Sequence, residues 1–433
     1  PISGDLSGGS LPVIGIGQAG CQMAAAFWLQ LCEDHRIDPH SGKSVEGATG
    51  RWEKLFTRVR GGGSDERFVP RAVFIDSDPR TGHDLKRKWR ELFNPALFVA
   101  AQEGSGNNCA IGYHERWSEI SSDVRAVISR VAEKAPAPGG AIVFHSYGGG
   151  SGGGLGVRVL EVLGDMLSGV PLLSVGVLPS RAVSVSVTEP YNAVFGMAGV
   201  LKHASLGLIF QNEHLQQLAA RAWDTPDASQ DFLNSLIARV VGAVTAPVRF
   251  DGADGPARDL GGLLADLGPH PDFRLATGTV FPLETLLRRK PSMRTAAEVL
   301  AATLERYQDL CPCADGTVMS LGLYGSGRAN RADLTGLGRG LNPVESDLKA
   351  EAVDIPHFVR LHLAAEPSPH SAVSVVVNSS KIGEMLDEMC ERFDRLWVRR
   401  AFANWYLDAG MTEGNFDAVR REVGFKARRY GDL

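Results

Sequence analysis

A run of six glycines and one serine, Gly148 to Gly154, is the stretch of this chain best suited to hold an anion. It follows an apolar run, Ala141 to Phe144, that predicts a buried strand, and it precedes Leu155 to Leu163, which has a helical pattern. Glycines have no Cβ atom, so backbone N–H groups can close around a phosphate, and a helix start adds unpaired donors. Ser151 adds a hydroxyl donor inside the loop. We predict a phosphate site here; the alternative is a flexible glycine linker.

A second glycine turn, Gly15 to Gly20, follows an apolar strand pattern and has the spacing G-x-G-x-x-G. A dinucleotide-binding fold needs an acid at the end of the next strand, about 20 residues later. Here that strand, Ala72 to Ile75, reaches Asp76 and Asp78 only after a long insertion, Ser41 to Phe68. This spacing argues against NAD but permits a phosphate at the turn. Neither glycine turn is followed by the lysine of a P-loop, which excludes that class of NTPase.

Strand and helix patterns alternate through the first half of the chain, and polar residues collect where the strands end. This arrangement predicts an α/β fold with a parallel sheet whose ligand lies along one edge. The predicted strands are Leu11 to Ile16, Ala72 to Ile75, Ala141 to Phe144, Leu172 to Leu178 and Leu206 to Phe210. The predicted helices are Cys21 to Cys32, Ala126 to Lys134, Leu155 to Leu163, Phe232 to Ala243 and Leu260 to Leu267. Gly104 to Asn108 is a polar turn. By itself its composition favours ordinary turn chemistry, and a functional role is the alternative.

The second half of the chain changes in composition. From about Phe273 to Leu363, proline, glycine and short strand patterns predict a smaller α+β domain, and Lys381 to Arg400 and Asn415 to Arg429 predict two amphipathic helices. The basic segment Arg288 to Lys290 is either a solvated loop or a lateral contact loop. The predicted division is 1–231 for a nucleotide-binding domain, 232–257 for a core helix and its following segment, 258–378 for the intermediate domain and 379–433 for the C-terminal helices.

The totals describe an ordinary folded protein. A chain of 433 residues predicts two or three packed domains, and a net charge of −5 gives no electrostatic reason to expect nucleic acid or membrane as a partner. Six sparse cysteines fit reduced thiols, and Cys311 and Cys313 are too close and isolated for a zinc site. No stretch approaches the roughly 20 apolar residues of a membrane span. Residue 1 is proline, so we expect an initiator or short leader to precede it.

The combination of motifs resembles the tubulin family along nearly the whole chain. The segments that match, in the family's order, are Gly17-Gln18-Ala19-Gly20, Arg71 to Pro79, Gly106-Asn107-Asn108, His145-Ser146-Tyr147 with the glycine run, Glu189-Pro190-Tyr191-Asn192, Asn212-Glu213, Arg249-Phe250 and Arg400 to Tyr406. The resemblance implies an N-terminal parallel-sheet GTP-binding domain, an α+β intermediate domain and a C-terminal helical hairpin. It also implies GTP or GDP with Mg²⁺ as cofactors.

The resemblance implies a set of residues around that nucleotide. Gln18 and Ala19 would lie on the phosphates, and Asp78 would hold the magnesium ion through its shell, with Asp76 beside it. The remaining implied contacts are Asn107, Gly148, Gly149, Gly150, Ser151 and Gly152 at the β- and γ-phosphates, Ser146 close by, Ser184, Val185 and Glu189 at the ribose, and Asn212 and Asn234 at the guanine edge. Amide side chains suit a purine edge, since they both donate and accept hydrogen bonds.

Three positions depart from the family pattern. Val185 stands where many tubulins have a threonine hydroxyl, and Gln230 stands where a tyrosine stacks on the base, so we expect weaker nucleotide binding. The third is Gly262, where alpha-tubulin carries the glutamate that positions the attacking water on a longitudinal partner's nucleotide. With only Asp259 retained as a weak catalytic acid, we expect a poor activator of hydrolysis, and Asp259 or Asp266 reaching in is the alternative. Whether the chain itself is a weak GTPase stays open.

Several short segments are most similar to the delta type of tubulin: Leu260-Gly261, Gly268 to Phe273, and Tyr430 to Leu433 without an acidic extension. That resemblance implies a structural subunit of centrioles or basal bodies, in the cytoplasm and cytoskeleton of ciliated or flagellated cells. Its implied partners are alpha- and beta-tubulin or centriolar components. The alternatives are a tubulin-fold assembly factor that does not polymerise, another tubulin isotype and, least favoured by the spacing of the acids, a Rossmann oxidoreductase.

Overall fold

A single sheet runs through most of the described chain. The computed structural model describes residues 9–44, 46–60, 66–133, 138–179, 186–250, 258–282, 303, 316–326, 358–363 and 372–433. Its strands are β1 (Val13–Ile16), β2 (Phe56–Arg60), β3 (Glu66–Pro70), β4 (Ala72–Asp76), β5 (Phe98–Ala100), β6 (Ala141–Ser146), β7 (Leu172–Leu178), β8 (Leu206–Gln211), β9 (Leu275–Pro282), β10 (Val318–Ser326), β11 (Phe358–Leu363) and β12 (Ala372–Ser379).

Ten of these strands form the main sheet, in the order β11-β10-β12-β9-β8-β7-β6-β1-β4-β5. From β5 to β9 every neighbouring pair is parallel. The central strands are buried on both faces, which is why they read as continuous apolar runs rather than alternating ones. The α/β class with a parallel sheet is therefore confirmed, and the carboxyl ends of β1, β4, β6 and β8 meet at one edge.

The helices cover the two faces of the sheet. They are α1 (Gly17–Asp34), α2 (Pro79–Lys88), α3 (Trp117–Glu133), α4 (Gly156–Met166), α5 (Glu189–His203), α6 (Asn212–Ala222), α7 (Gln230–Arg249), α8 (Leu260–Leu267), α9 (Lys381–Trp397), α10 (Ala403–Asp408) and α11 (Glu413–Gly431). The sequence patterns located most of these and fixed α8 at its observed bounds. The final pair, α9 and α11, pack on each other and on α5, as the predicted C-terminal hairpin requires.

Antiparallel pairing begins where the predicted intermediate domain lies. Strand β12 runs antiparallel to both β9 and β10, while β9 itself pairs in parallel with β8. The sheet thus continues from the nucleotide half into the second half of the chain, and the domain boundaries stay a prediction. The insertion between α1 and β4 forms a separate two-stranded hairpin, in which Phe56 pairs with Pro70.

Helix α7 extends beyond the predicted Ala243, through Pro247, to Arg249. The guanidinium of Arg249 is buried, donates to the Gly242 carbonyl at 2.7 Å and lies 3.1 Å from the carboxylate of Asp34, so the last turn is held by its own side chain. By length and composition α7 would pass for a membrane span, contrary to our expectation from the sequence. However, 78% of its most apolar stretch is buried inside the protein. A core helix of a folded protein is buried in this way and meets the same criteria of length and composition.

The described cysteines, Cys21, Cys32, Cys109 and Cys390, are buried and free, as the sequence indicated. Burial raises the pKa of each thiol, that of Cys390 to about 11. Cys311, Cys313 and the basic segment Arg288 to Lys290 lie outside the described residues.

Candidate nucleotide-binding site

A cavity of about 720 Å³ lies at the carboxyl edge of the parallel strands. Eight separate segments of the sequence reach it, which is what the topology of a parallel sheet allows. Most of the residues predicted at a nucleotide line this cavity: Gln18, Ala19, Asp76, Asp78, Asn107, Ser146, Gly148, Gly149, Gly150, Ser151, Gly152, Glu189, Asn212 and Gln230. The two glycine turns, the two acids and Asn212 therefore share one space.

The other predicted residues fall elsewhere. Ser184 and Val185 lie outside the described residues, so the ribose assignment stays a prediction. Asn234 lines a neighbouring cavity of about 670 Å³ between α1, α2 and α7, and Asp259 lies at the start of α8. Gln22 lines both cavities and was missed by the sequence analysis. It follows Gln18 by one turn of α1 on the same helix face, a spacing from which it was recognisable.

The glycines of the phosphate loop are required by close packing. A Cβ atom on Gly152 would lie 2.3 Å from the Ser146 carbonyl oxygen, and one on Gly154 would lie 2.2 Å from that of Cys109. Gly17, which opens α1, has φ +70°, and a Cβ atom on it would lie 3.0 Å from the backbone N of Gly152. Each of these positions excludes a side chain, so bare backbone of both glycine turns lines the same pocket.

The hydroxyl of Ser151 joins three segments at the centre of the phosphate end. It lies 2.6 Å from the Ser77 hydroxyl and 3.4 Å from that of Ser105. The segment that leads directly into α4, Ser151–Leu155, is a turn of π-helix, a wide turn found often at functional sites. Ser77 and Ser105 were not predicted, because a lone serine beside an acid or a glycine has no distinguishing spacing.

Beneath the loop, His145 is fully buried and neutral. Its Nδ1 donates to the Gly152 carbonyl at 3.0 Å, since a carbonyl can only accept, and its Nε2 accepts from the Ser174 hydroxyl at 2.8 Å. Burial lowers the pKa of His145 to about 4. The neutral ring therefore ties the strand end to the phosphate loop, and its protonation would place a positive charge in a fully buried site.

The two predicted acids differ in environment. Asp76 is buried, burial raises its pKa, and its Oδ2 atom has no hydrogen-bond partner among the described residues. Asp78 caps α2 and forms an ion pair with Arg80, whose guanidinium lies 2.5 Å from the Oδ2 atom of Asp78. Hydrogen bonding to Arg80 lowers the pKa of Asp78. Thr81 also contributes to the lining. The unpartnered oxygen of Asp76 and the carboxylate of Asp78 are suitable groups near a hydrated divalent cation that is bound together with an anionic ligand.

The base end is built from amides and is more open. Asn212 begins α6 directly after β8, and its buried Oδ1 atom has no partner among the described residues. Gln230 is exposed and its amide lies 3.5 Å from the Oδ1 atom of Asn234, which is buried. An unsatisfied buried amide oxygen is costly unless a ligand donates to it, which a purine edge can do.

At α8 the acids are engaged within the chain. Asp259 caps the helix, with its Oδ1 accepting the backbone N–H of Gly262 at 2.7 Å. Asp266, the alternative acid, forms an ion pair with Arg258. A Cβ atom on Gly262 would meet only ordinary contacts, the nearest at 3.5 Å, so the helix has room for a side chain there.

Comparison with known proteins gives a consistent result. The family described as "Tubulin/FtsZ family, GTPase domain" matches residues 10–220, which contain both glycine turns and the acids. Tubulin alpha-1 chain of Saccharomyces cerevisiae is 30% identical over 433 residues, with 96% of each chain covered. Tubulin alpha-A chain of Neurospora crassa is 29% identical over 447 residues, covering 98% of this chain and 97% of its own. Tubulin alpha chain of Trypanosoma cruzi is 28% identical over 434 residues, covering 97% and 95%.

These alignments cover 96% to 98% of this chain, so they extend well beyond the match of the GTPase domain at residues 10–220. The relatives are alpha chains, and the predicted delta type is not distinguished by them. The glycine turns, the parallel sheet and the similarity along nearly the whole chain agree with one another. This chain belongs to the tubulin family.

Proposed function

We propose that the 720 Å³ cavity binds GTP or GDP. The observation that supports this most directly is the meeting of bare backbone at Gly17 and Gly152 with the orphaned amide oxygen of Asn212 in one space. A nucleotide would use both ends: backbone N–H groups for the phosphates, and Asn212 with Gln22 for the base. The remaining residues predicted from the sequence are proposed at their assigned positions, including Ser184, Val185 and Asn234.

We propose Mg²⁺ as the second cofactor, beside the phosphates. Asp78 would hold it through water, with Asp76 beside it, because Mg²⁺ usually retains several waters and takes few carboxylates directly. Bound there, the ion would neutralise phosphate charge. Arg80 would have to release part of its contact with Asp78, so cation binding and the Arg80 contact compete for one carboxylate.

Nucleotide identification tests the proposal. The purified chain is denatured and its released nucleotides are separated by chromatography, and labelled GTP, ATP and NAD are then bound to the stripped protein with and without Mg²⁺. We expect GTP or GDP to be released and labelled GTP to be retained in preference to the other two. Retention of NAD instead, or of no nucleotide at all, would contradict the proposal.

We further propose that the protein is a delta-like structural tubulin of the centriole or basal body, in the cytoplasmic cytoskeleton, with other tubulins or centriolar components as partners. Two of the delta-like segments touch in the fold, where Phe273 packs edge-on against Tyr430. Co-sedimentation with alpha/beta-tubulin polymer and localisation of a tagged chain test this role. A chain that binds free dimers but is never retained in polymer would support the assembly factor instead.

We propose finally that the chain is a poor activator of GTP hydrolysis on a longitudinal partner. Asp259 caps α8 by accepting the backbone N–H of Gly262, and Gly262, which is partly exposed, has no side chain to orient a water molecule. Because a Cβ atom at that position would meet only ordinary contacts, Gly262→Glu is the variant that tests this proposal. We expect this variant to raise GTP turnover in mixtures with partner tubulin by about 10²-fold or more, the lower end of general-base assistance.

Gly262→Gln is the matched control, since it has the same size but no basic carboxylate. Turnover should rise for the glutamate variant alone. Equal turnover in all three chains, or strong turnover by the wild type, would count against the proposed role of Gly262.

A further inference from the structure

Asn192 is a fully buried side chain that joins the two phosphate loops. Its Nδ2 atom donates to the Asn107 carbonyl at 2.7 Å and to the Gly148 carbonyl at 2.9 Å. Its Oδ1 atom accepts the backbone N–H of Cys109 at 3.0 Å and the hydroxyl of Tyr406 at 2.7 Å. All four hydrogen-bonding positions of the amide are therefore used, and two donors and two acceptors around it allow only one orientation.

The carbonyl groups that Asn192 holds belong to residues at the nucleotide cavity. Asn107 and Gly148 both line it, and they come from separate loops. Asn107 has φ +56°, in the left-handed region that is costly for a residue with a side chain. Its carbonyl also accepts from the Thr188 hydroxyl at 3.0 Å. Both bonds stabilise a strained backbone that borders the cavity proposed to hold the phosphates.

Tyr406 brings the C-terminal region into this network. It lies in α10, between the two helices of the C-terminal hairpin, and it is fully buried. Burial raises the pKa of its hydroxyl, so the group stays protonated and donates to Asn192. A second link runs beside it, from the Asn108 amide to the Trp405 carbonyl at 2.9 Å. The phosphate loops are thus fastened from outside the nucleotide domain.

We propose that Asn192, held by Tyr406, is a positioning residue that sets the spacing of the two phosphate loops, so that the C-terminal helices control affinity for nucleotide phosphates. This inference rests on the proposed GTP site. It gives a role to Asn192 and Tyr406, which lie in two of the segments that match the family, Glu189 to Asn192 and Arg400 to Tyr406, but to which the resemblance assigns no nucleotide contact.

Loss of the Tyr406 hydroxyl should weaken binding of the nucleotide's phosphates more than binding of its base. Without the Tyr406 hydroxyl, the Asn192 amide loses one of its four bonds and its hold on both loops loosens, while the base end at Asn212 is untouched. One neutral hydrogen bond corresponds to about a three- to ten-fold change in an equilibrium constant. We expect GTP affinity to fall by that factor and GMP affinity to fall less, because GMP lacks the β- and γ-phosphates assigned to these loops.

The experiment compares Tyr406→Phe with Tyr191→Phe. Tyr191 is an equally buried tyrosine whose hydroxyl also donates to the C-terminal segment, to the Ala401 carbonyl at 2.9 Å. Within the described residues, this hydroxyl makes no hydrogen bond to either phosphate loop. Each substitution removes one hydroxyl and keeps the ring. Dissociation constants for GTP and GMP are measured with the wild type and both variants, together with the thermal midpoint of the nucleotide-free protein.

The expected result is that both variants lose similar thermal stability, while only Tyr406→Phe weakens GTP binding, and weakens it more than GMP binding. Asn192→Ala should lower GTP affinity further, on the order of 100-fold, since it frees both loop carbonyls. If the two tyrosine variants bind GTP as tightly as the wild type, or weaken it equally, the inference is overturned while the GTP site stands. A wild-type chain that binds no guanine nucleotide overturns the proposed function and the inference together.

Discussion

The two ends of the candidate nucleotide site are built differently. At the phosphate end, backbone is packed so closely that a single Cβ atom on Gly152 would collide with the Ser146 carbonyl, and buried His145 fixes the loop from below. At the base end, Gln230 is exposed, Asn212 has an unsatisfied oxygen, and a second cavity opens beyond Gln22.

This difference indicates where binding energy and selectivity arise. Preformed, buried donors bind a ligand without having to rearrange, which favours affinity. Exposed amide side chains orient the ligand through hydrogen bonds but pack little surface against it. We therefore expect phosphates to dominate affinity in this chain and the base to contribute less than in a site with a stacked ring. Four changes, two at the phosphate loop, one at the cation site and one at the base, test this asymmetry.

The largest effect is expected at the phosphate loop. Gly152→Ala places a Cβ atom 2.3 Å from a carbonyl oxygen, so the loop must move and GTP affinity should fall by more than about 100-fold. Gly164→Ala in α4 is the control, because nothing lies within 4 Å of its Cβ position. Equilibrium binding of labelled GTP measures both. Wild-type affinity in the Gly152 variant would remove the basis for a tightly built phosphate end.

Lowering the pH should destabilise the fold at the phosphate end, where His145 is buried. The pKa of His145 lies at about 4 in the fold against an ordinary 6.5, so the fold favours the neutral ring; its contribution is complete above pH 6.5 and is lost as the pH falls toward 4. Between pH 7 and 5 this amounts to about 2 kcal/mol of unfolding free energy.

Urea unfolding at the two pH values checks this, with His145→Gln as the comparison. His35 and His214, whose pKa values burial also lowers to about 4, add their own losses to both proteins. The variant should therefore lose less stability on acidification than the wild type. Identical losses would show that His145 does not hold the loop in its neutral form.

The cation site should give a smaller change. Asp78→Asn removes a carboxylate proposed to hold Mg²⁺ through water, so the Mg²⁺-dependent part of GTP affinity should fall about tenfold. Arg80→Gln should act in the opposite direction, because it releases Asp78 from its ion pair. Titrations of Mg²⁺ at fixed GTP separate the two. A magnesium dependence unaltered by both changes would place the ion elsewhere.

The smallest effect is expected at the base end, and it is a gain. Gln230→Tyr restores an aromatic face, and a base-aromatic stack contributes about 1–3 kcal/mol where it is measured in other complexes. Because Gln230 is exposed, we expect the lower limit, about fivefold tighter GTP, with the same gain for GDP. Gln230→Leu adds apolar area without a ring and serves as its control. A larger gain than the loss in Gly152→Ala would reverse the proposed order of the two ends.

Sequence alone brought together most residues that line the proposed phosphate end of the cavity. The glycine run, the strand before it and the helix after it have strong local signals, since glycine spacing and apolar periodicity are both written in consecutive residues. The acids Asp76 and Asp78 were found because they follow a recognisable strand. Helix α7 was predicted too short, because the ion pair between Arg249 and Asp34 joins residues far apart in the chain.

The rest of the site depends on such distant contacts. Nothing in the local sequence shows that Ser77 and Ser105 meet at Ser151, or that Asp78 is held by Arg80. Asn234 was assigned to the base by resemblance, yet it lines the second cavity and meets the first only through Gln230. Proximity of this kind comes from how helices dock on the sheet, which periodicity does not encode.

The four buried thiols have a practical consequence for studying this protein. Because only the thiolate is nucleophilic, and burial keeps each sulfur protonated and covered, an alkylating reagent can modify them only when the surrounding structure opens. Cys21 and Cys109 lie in elements that border the two glycine turns, whereas Cys390 lies in α9, so the chain carries reporters in two distinct regions. The rate at which each becomes labelled, followed by peptide mass analysis, gives the opening frequency of its own region without any engineered probe.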